Sequence, residues 1–253
     1  MQNAIEALTR RLEAIGQLSP EGRATLAALP LQFRSLRKGE DLVGDGEVST
    51  SCCVVLDGYL YRSKDAPNGA RQIFSLHPAG DMPDLHSLHL PRMDHNLTAM
   101  SESRVAQIPH AEMNAALVRS PELTALFWRS TLIDAAAFRA WMLMLGQFDA
   151  ITRMAHLFCE QFTKAAMAGL ADQDSFFFPL TQTDLADMLG ISLVHANRTL
   201  QDLRERGVVA FDHNRVSILH WSELRRIGEF DPAYLHYLDG RIGRRNPGDA
   251  HNP

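Results

Sequence analysis

The chain has 253 residues, of which 45% are hydrophobic and 22% charged, with a formal net charge of −5. That is ordinary globular usage, ample for one large domain or two smaller ones, and it excludes collagen-like, mucin-like and wholly disordered chains. The mild acidity excludes a strongly basic nucleic-acid coat protein but not a local DNA-binding patch, because binding depends on local rather than total charge.

Charges or prolines interrupt every apolar stretch before the roughly 18–20 residues that a membrane span needs. The polar, amphipathic start (residues 1–11) does not read as a secretory signal, so no membrane partner is expected. The three cysteines, Cys52, Cys53 and Cys159, are too few and too odd in number for a disulfide framework. They point to a reducing compartment, the cytoplasm.

Residues 3–29 predict two helices. Ile5, Leu8, Leu12 and Ile15 fall at helical spacing, and Gly16 closes the run. Ser19-Pro20-Glu21 opens the second helix with an N-cap serine, a proline at the first helical position and an acid in the first turn. From 31 to 110 short β-branched, aromatic and leucine-rich runs alternate with turn signals such as Asp57-Gly58 and Pro67-Asn68-Gly69. Strands are expected within 53–56, 59–63, 72–76, 97–99 and 105–109, in an antiparallel roll or sandwich. Helix returns at 111–168. In it Leu123, Leu126, Ser130, Ile133, Ala137, Ala140 and Met144 are spaced 3, 4, 3, 4, 3, 4. This heptad seam predicts self-pairing, its small residues letting two helices approach closely; the competing reading is one helix packed on its own sheet. Phe127, Phe138 and Trp141 lie off the seam and are free to cover the sheet instead. A loop at 169–179 follows, and a Gly-, Arg-, Asn- and Pro-rich tail at 239–253 is expected to be flexible.

The segment 180–204 carries the function. Thr181 and Asp184 fit a capping box, Leu185, Ala186 and Leu189 a buried face, and Gly190 a tight turn. Ser192 fits the N-cap of a second helix whose Ala196, Leu200 and Leu203 face inward. Val194, Asn197, Arg198 and Gln201 then share the outer face at i, i+3, i+4 and i+7. This is a helix-turn-helix whose second helix is expected to enter the major groove of double-stranded DNA. Arg198 suits guanine as a bidentate donor, Asn197 adenine or a phosphate, and Leu193 and Val194 a thymine methyl. Thr181, Ser192 and His195 are placed for the DNA backbone, helped on the second helix by its N-terminus. Two short β runs flanking Asp212–Asn214 then form a hairpin, the wing. Residues 190–215 hold four arginines against three acids, so the basic footprint is slight.

A winged helix-turn-helix behind a long helix and a β-roll resembles the Crp/Fnr family of bacterial transcription regulators. The match is strongest over 180–209, with further likeness at Val55-Leu56-Asp57-Gly58-Tyr59-Leu60 and Pro78-Ala79-Gly80-Asp81. The resemblance implies an α+β architecture. An N-terminal antiparallel β-roll or jelly-roll sensory domain (1–120) is followed by a long dimerisation helix (121–146) and a DNA-binding domain (147–238). It implies a homodimer through the 123–144 seam, a palindromic DNA site and RNA polymerase as a further partner. Members that bind cyclic AMP carry a Gly-Glu and an Arg-Ser pair. Here Asp84-Leu85 and Met93-Asp94 stand in those places, and Arg92 lacks a serine beside it. Two aspartates beside a cyclic phosphate would repel it, so the signal is expected to be an unidentified small molecule other than cyclic AMP, or none. No cysteine precedes Cys52, so the iron–sulfur cluster of other members is not expected, nor any other cofactor. Val194 stands where the best-known members carry glutamate, so their target sequence is not implied.

Four histidines, His77, His86, His89 and His95, crowd one stretch. Their spacing matches no standard zinc or haem motif, and hydrogen bonding to backbone is the ordinary reading, with a metal, haem or redox sensor as the alternative. Cys52 and Cys53, adjacent in a strand, point to opposite faces, so one is expected in the core and the other nearer solvent; Cys159 reads as core. A rival from another class is a cupin-like metal-dependent enzyme. Its paired His-x-His is absent, since two residues separate His86 from His89.

Overall fold

The computed structural model describes residues 2–238; the tail expected to be flexible, 239–253, lies outside them. The chain divides into two compact units, one ending at Ala135 and the other beginning at Ala136, within a single long helix.

The first unit opens with α1 (Gln2–Ile15) and α2 (Pro20–Ala27). Ser19 caps α2 by accepting from the Gly22 N–H at 3.0 Å, and its own hydroxyl donates to Glu122 at 2.6 Å. The roll follows: β1 (Gln32–Leu36), β2 (Asp41–Val43), β3 (Ser51–Asp57), β4 (Tyr59–Asp65), β5 (Arg71–Pro78), β6 (Asn96–Ala99) and β7 (Ser103–Pro109). They form two antiparallel sheets, ordered β1-β7-β3 and β2-β6-β4-β5. Leu36, Val43, Cys53, Val55, Leu60, Leu97 and Val105 share one apolar core. The five expected strands lie inside these elements; β1 and β2 were not anticipated, being short, with only Leu36 and Val43 buried.

The β3–β4 turn depends on Gly58, with φ of +77°. A Cβ there would come within 2.4 Å of the Glu102 carbonyl oxygen and of Ser103 Oγ. Gly58→Ala is therefore expected to destabilise the roll by about 1–3 kcal/mol, readable as a lower urea midpoint.

Cys52 and Cys53 correct an expectation. They do point to opposite faces, yet both are fully buried. Cys53 lies in the core of the roll. The outer face of β3 is covered by α1 and by a 3-10 turn at Leu85–Leu88, and Cys52 Sγ lies 3.8 Å from Ser87 Oγ of that turn. Burial pushes both thiols up, away from the reactive thiolate form that redox sensing needs.

Two further helices are α3 (His110–Arg119) and α4 (Pro121–Gln147). The heptad seam on α4 does not face outward. Leu123, Leu126, Ile133 and Met144 are buried within the chain, and Ser130, Ala137 and Ala140 are half-buried. Leu126 packs so tightly on Gly16 that a Cβ at Gly16 would meet its Cδ2 at 2.3 Å. The buried face is wider than the seam, since Phe127, Ala136 and Trp141 are buried as well, and a face of that width is what a helix lays on its own core.

In the second unit, α5 (Ala150–Ala168) is capped by Asp149, which accepts from the Thr152 N–H at 2.9 Å. Glu160 on α5 is buried and accepts from Trp141 Nε1 at 2.8 Å, Tyr234 Oη at 2.5 Å and Lys164 Nζ at 2.7 Å. Trp141 is thus fixed to α5 by this carboxylate. Burial alone would raise the Glu160 pKa, but the Lys164 ammonium and these hydrogen bonds hold it below its usual value.

The expected loop at 169–179 contains a strand, β8 (Ser175–Phe177), paired with β10 (Arg215–Ile218), which also pairs β9 (Val209–Asp212). Phe176 and Phe178 point inward onto Phe158, Phe162 and Phe211, and Phe177 points out. The remaining elements are α6 (Gln182–Leu189), α7 (Leu193–Glu205) and α8 (Trp221–Ile227). No described helix is long and apolar enough to cross a membrane.

Candidate nucleic-acid interface

Local chemistry sets α6 and α7. The Thr181 hydroxyl accepts from the Asp184 N–H at 3.2 Å, and the Asp184 carboxylate accepts from the Thr181 N–H at 2.9 Å, a reciprocal capping box. Gly190 ends α6 in the left-handed region, with φ of +65°. Ser192 Oγ then accepts from the His195 N–H at 3.2 Å and starts α7. Leu185, Ala186 and Leu189 of α6 and Ala196, Leu200 and Leu203 of α7 are buried, as their spacing predicts. That burial fixes the rotation of α7 about its axis.

The opposite face is exposed at Leu193, Val194, His195, Arg198 and Gln201, with Val194 74% exposed. Asn197 departs from the expected pattern. It is half-buried at the edge of this face, and its Oδ1 is buried without a partner. Gln201 donates to Glu205 at 3.0 Å, a contact it must give up to address a base. The Thr181 and Ser192 hydroxyls are exposed but already serve as caps.

The wing is present. β9 and β10 pair through Val216↔Phe211 and Arg215↔Asp212. His213 and Asn214 at its tip have φ of +46° and +60°, the two-residue turn that suits the twist of a hairpin. Arg204 donates to the Phe211 carbonyl, and Arg215 to Asp172 and Ser175. Two of the four arginines near the helix-turn-helix thus hold the domain together, while Arg198 and Arg206 are exposed. The compact third strand β8, which supplies Ser175, was missed in the sequence; the in-out-in order of Phe176, Phe177 and Phe178 is its only local signal.

Residues 152–227 match the Crp-like helix-turn-helix domain, and residues 33–120 match the cyclic nucleotide-binding domain. The chain is 24% identical to the nitrogen fixation regulation protein FixK of Azorhizobium caulinodans over 191 residues, 75% of this chain and 76% of that protein. It is also 24% identical to the transcriptional activator protein FnrL of Cereibacter sphaeroides over 186 residues, 72% and 74% of the two chains. The solved structure of FixK2 from Bradyrhizobium japonicum superposes with a TM-score of 0.71 at 23% identity, covering 79% of this chain and 98% of that one.

The chain belongs to the Crp/Fnr family. It is a DNA-binding transcription regulator, and its named relatives are regulators and activators rather than enzymes. In this Crp/Fnr regulator the residues that the resemblance sets in place of the cyclic-AMP pairs make other contacts. Asp84 is buried, and its carboxylate accepts from the Cys53 N–H at 2.7 Å; burial pushes its pKa up to about 6. Leu85 and Met93 are buried apolar residues. The Asp94 carboxylate pairs with His95 Nδ1 at 2.6 Å. Buried Arg62, which the sequence reading did not single out, binds Asp134 at 2.7 Å and the Pro83 carbonyl at 2.8 Å.

The four histidines do not converge. His77 is bound at both nitrogens, to Ser75 at 2.8 Å and Asp81 at 3.2 Å, and His89 is exposed. His86 and His95 do meet, their ring centroids 5.2 Å apart. Burial, and behind it the Arg62 charge, lowers the pKa of both, His86 to about 4. Both shifts favour the neutral imidazole, which carries a lone pair on one nitrogen.

Proposed function

We propose that this regulator works in the cytoplasm as a homodimer. It reads a two-fold-symmetric DNA site with the helix 192–204 and acts through RNA polymerase. Residues 1–120 serve as sensor, 121–146 as dimerisation helix and 147–238 as reader. The observation that carries this reading is the outward face of α7. Val194, Arg198 and Gln201 lie exposed on a helix whose roll is fixed by buried Ala196, Leu200 and Leu203. Contact with Ser192, Leu193, His195 and Thr181 completes the interface.

Dimerisation uses a different stripe of α4 from the heptad seam. Ala125, Trp128, Leu132, Ala135, Arg139, Met142 and Gly146 also repeat at 3, 4, 3, 4, 3, 4, and all seven are exposed. Trp128 and Met142 are 64% and 75% exposed, an apolar cost that a second copy would relieve. Site selection from a randomised duplex library is the test. Two inverted half-sites centred about 34 Å apart are expected. Recovery of a single asymmetric half-site, bound by one chain, would overturn the reading.

The signal is not cyclic AMP. Asp84 and Asp94 oppose a cyclic phosphate, and no Arg-Ser pair stands in the loop. Calorimetry with cyclic AMP is expected to give no saturable heat. Tight binding accompanied by raised DNA affinity would refute this.

A further inference from the structure

We infer that His86, Asp94 and His95 form a binding site for a divalent first-row transition-metal ion in the roll. His86 belongs to the 3-10 turn Leu85–Leu88, and His95 stands at the entry to β6. One ligand atom from each of the three residues lies within 4.8 Å of the other two. Ligands about 2.1 Å from a tetrahedral ion stand roughly 3.4 Å apart, so a modest turn of the exposed Asp94 side chain brings the set to bonding range.

A second observation points to a ligand. Nε2 of His86 and Nε2 of His95 are both buried, and neither has a hydrogen-bond partner. His95 is only 7% exposed. Two orphaned nitrogens on neighbouring rings, their centroids 5.2 Å apart, are an unusual cost in a folded protein and call for an occupant. Without an ion the Asp94 carboxylate rests on His95 Nδ1 at 2.6 Å and leaves Nε2 bare; because the two ring nitrogens lie on opposite edges, Asp94 must give up that hydrogen bond to become a ligand. Phe74 packs edge-on against His95 at 5.7 Å between centroids and holds the ring from another side.

Of the charged groups around the two rings, Arg62 acts most strongly and Asp94 and Asp134 oppose it, so an ion here depends on the Asp94 carboxylate. Arg62 is also paired with Asp134. Two imidazoles with one carboxylate favour zinc, cobalt, nickel or iron(II) over magnesium or calcium, which prefer all-oxygen sets. An ion here would tie the 84–88 turn to the start of β6, in the two loops where cyclic-AMP-binding relatives are expected to hold their ligand. Any effect on DNA rests on the sensor reading above; the binding of the ion does not.

The test uses the untagged full chain, stripped of metal, titrated with zinc by calorimetry and with cobalt by visible absorption. One ion per chain with a Kd below about 100 μM, and cobalt d–d bands of a nitrogen-ligated site, are expected. His86→Ala and His95→Gln should each weaken binding at least about tenfold, while His89→Ala and His213→Ala, both exposed, leave it unchanged. Circular dichroism checks that the variants fold, and Asp94→Asn provides a surface variant that leaves the core intact. An adventitious ion only, seen as weaker or multiple binding or as binding indifferent to His86, Asp94 and His95, overturns the assignment. DNA affinity with and without zinc is measured separately. Zinc bound at this site without any change in DNA affinity would remove the ion as the signal and leave the site standing.

Discussion

Arg198→Ala is expected to cost about 2–6 kcal/mol in specific DNA affinity and far less in affinity for unrelated DNA. The direction of this side chain is set by packing. Ala196, Leu200 and Leu203 are buried, so a residue at position 198 leaves the domain surface on the side of Val194. A bidentate contact to guanine discriminates by about 1–3 kcal/mol, and a symmetric dimer makes it twice. Non-specific binding loses only one charge per subunit of the counterion-release term. That charge matters, since Arg204 and Arg215 are engaged inside the domain. Specific and scrambled duplexes are compared at one salt concentration. An equal loss on both would make Arg198 a phosphate contact, and no loss on either would mean that α7 does not enter the groove.

The helix-turn-helix was legible because its determinants are local. Thr181 with Asp184, Gly190 and Ser192 are each read from a few neighbouring residues, and each performs in the structure the role its chemistry suggests. Features that depend on what lies across space were not legible. Alternation assigned Cys52 and Cys53 to opposite faces correctly, but it carries no sign that α1 and the 85–88 turn cover the outer face. β8 spans three residues, too few for its period to stand out beside Pro179. His86 and His95 are brought together by the return of the chain into β6, and no spacing rule encodes that. Asn197 shows the limit of a helical wheel: the angle was right, yet the neighbouring packing buries its Oδ1.

The long helix poses the same problem in its sharpest form, because α4 carries two heptad stripes. One contains Leu126, Ile133 and Met144, the other Trp128, Leu132 and Met142, and periodicity cannot say which meets a partner. Burial distinguishes them, and a pair of adjacent substitutions turns that distinction into a measurement. Ile133 is buried, so Ile133→Glu places a carboxylate without a counter-ion in an apolar setting and should destabilise the chain by about 3–5 kcal/mol. Leu132 is 52% exposed, so Leu132→Glu should leave the thermal and urea transitions of the monomer nearly unchanged. In a two-fold pair the same stripe meets its own copy, and the new carboxylates then face each other across the axis. Sedimentation at micromolar concentration is expected to show Leu132→Glu as a folded monomer, with dimer affinity lowered at least about tenfold. A folded monomer from Ile133→Glu, together with an intact dimer from Leu132→Glu, would return the interface to the Leu123–Met144 stripe.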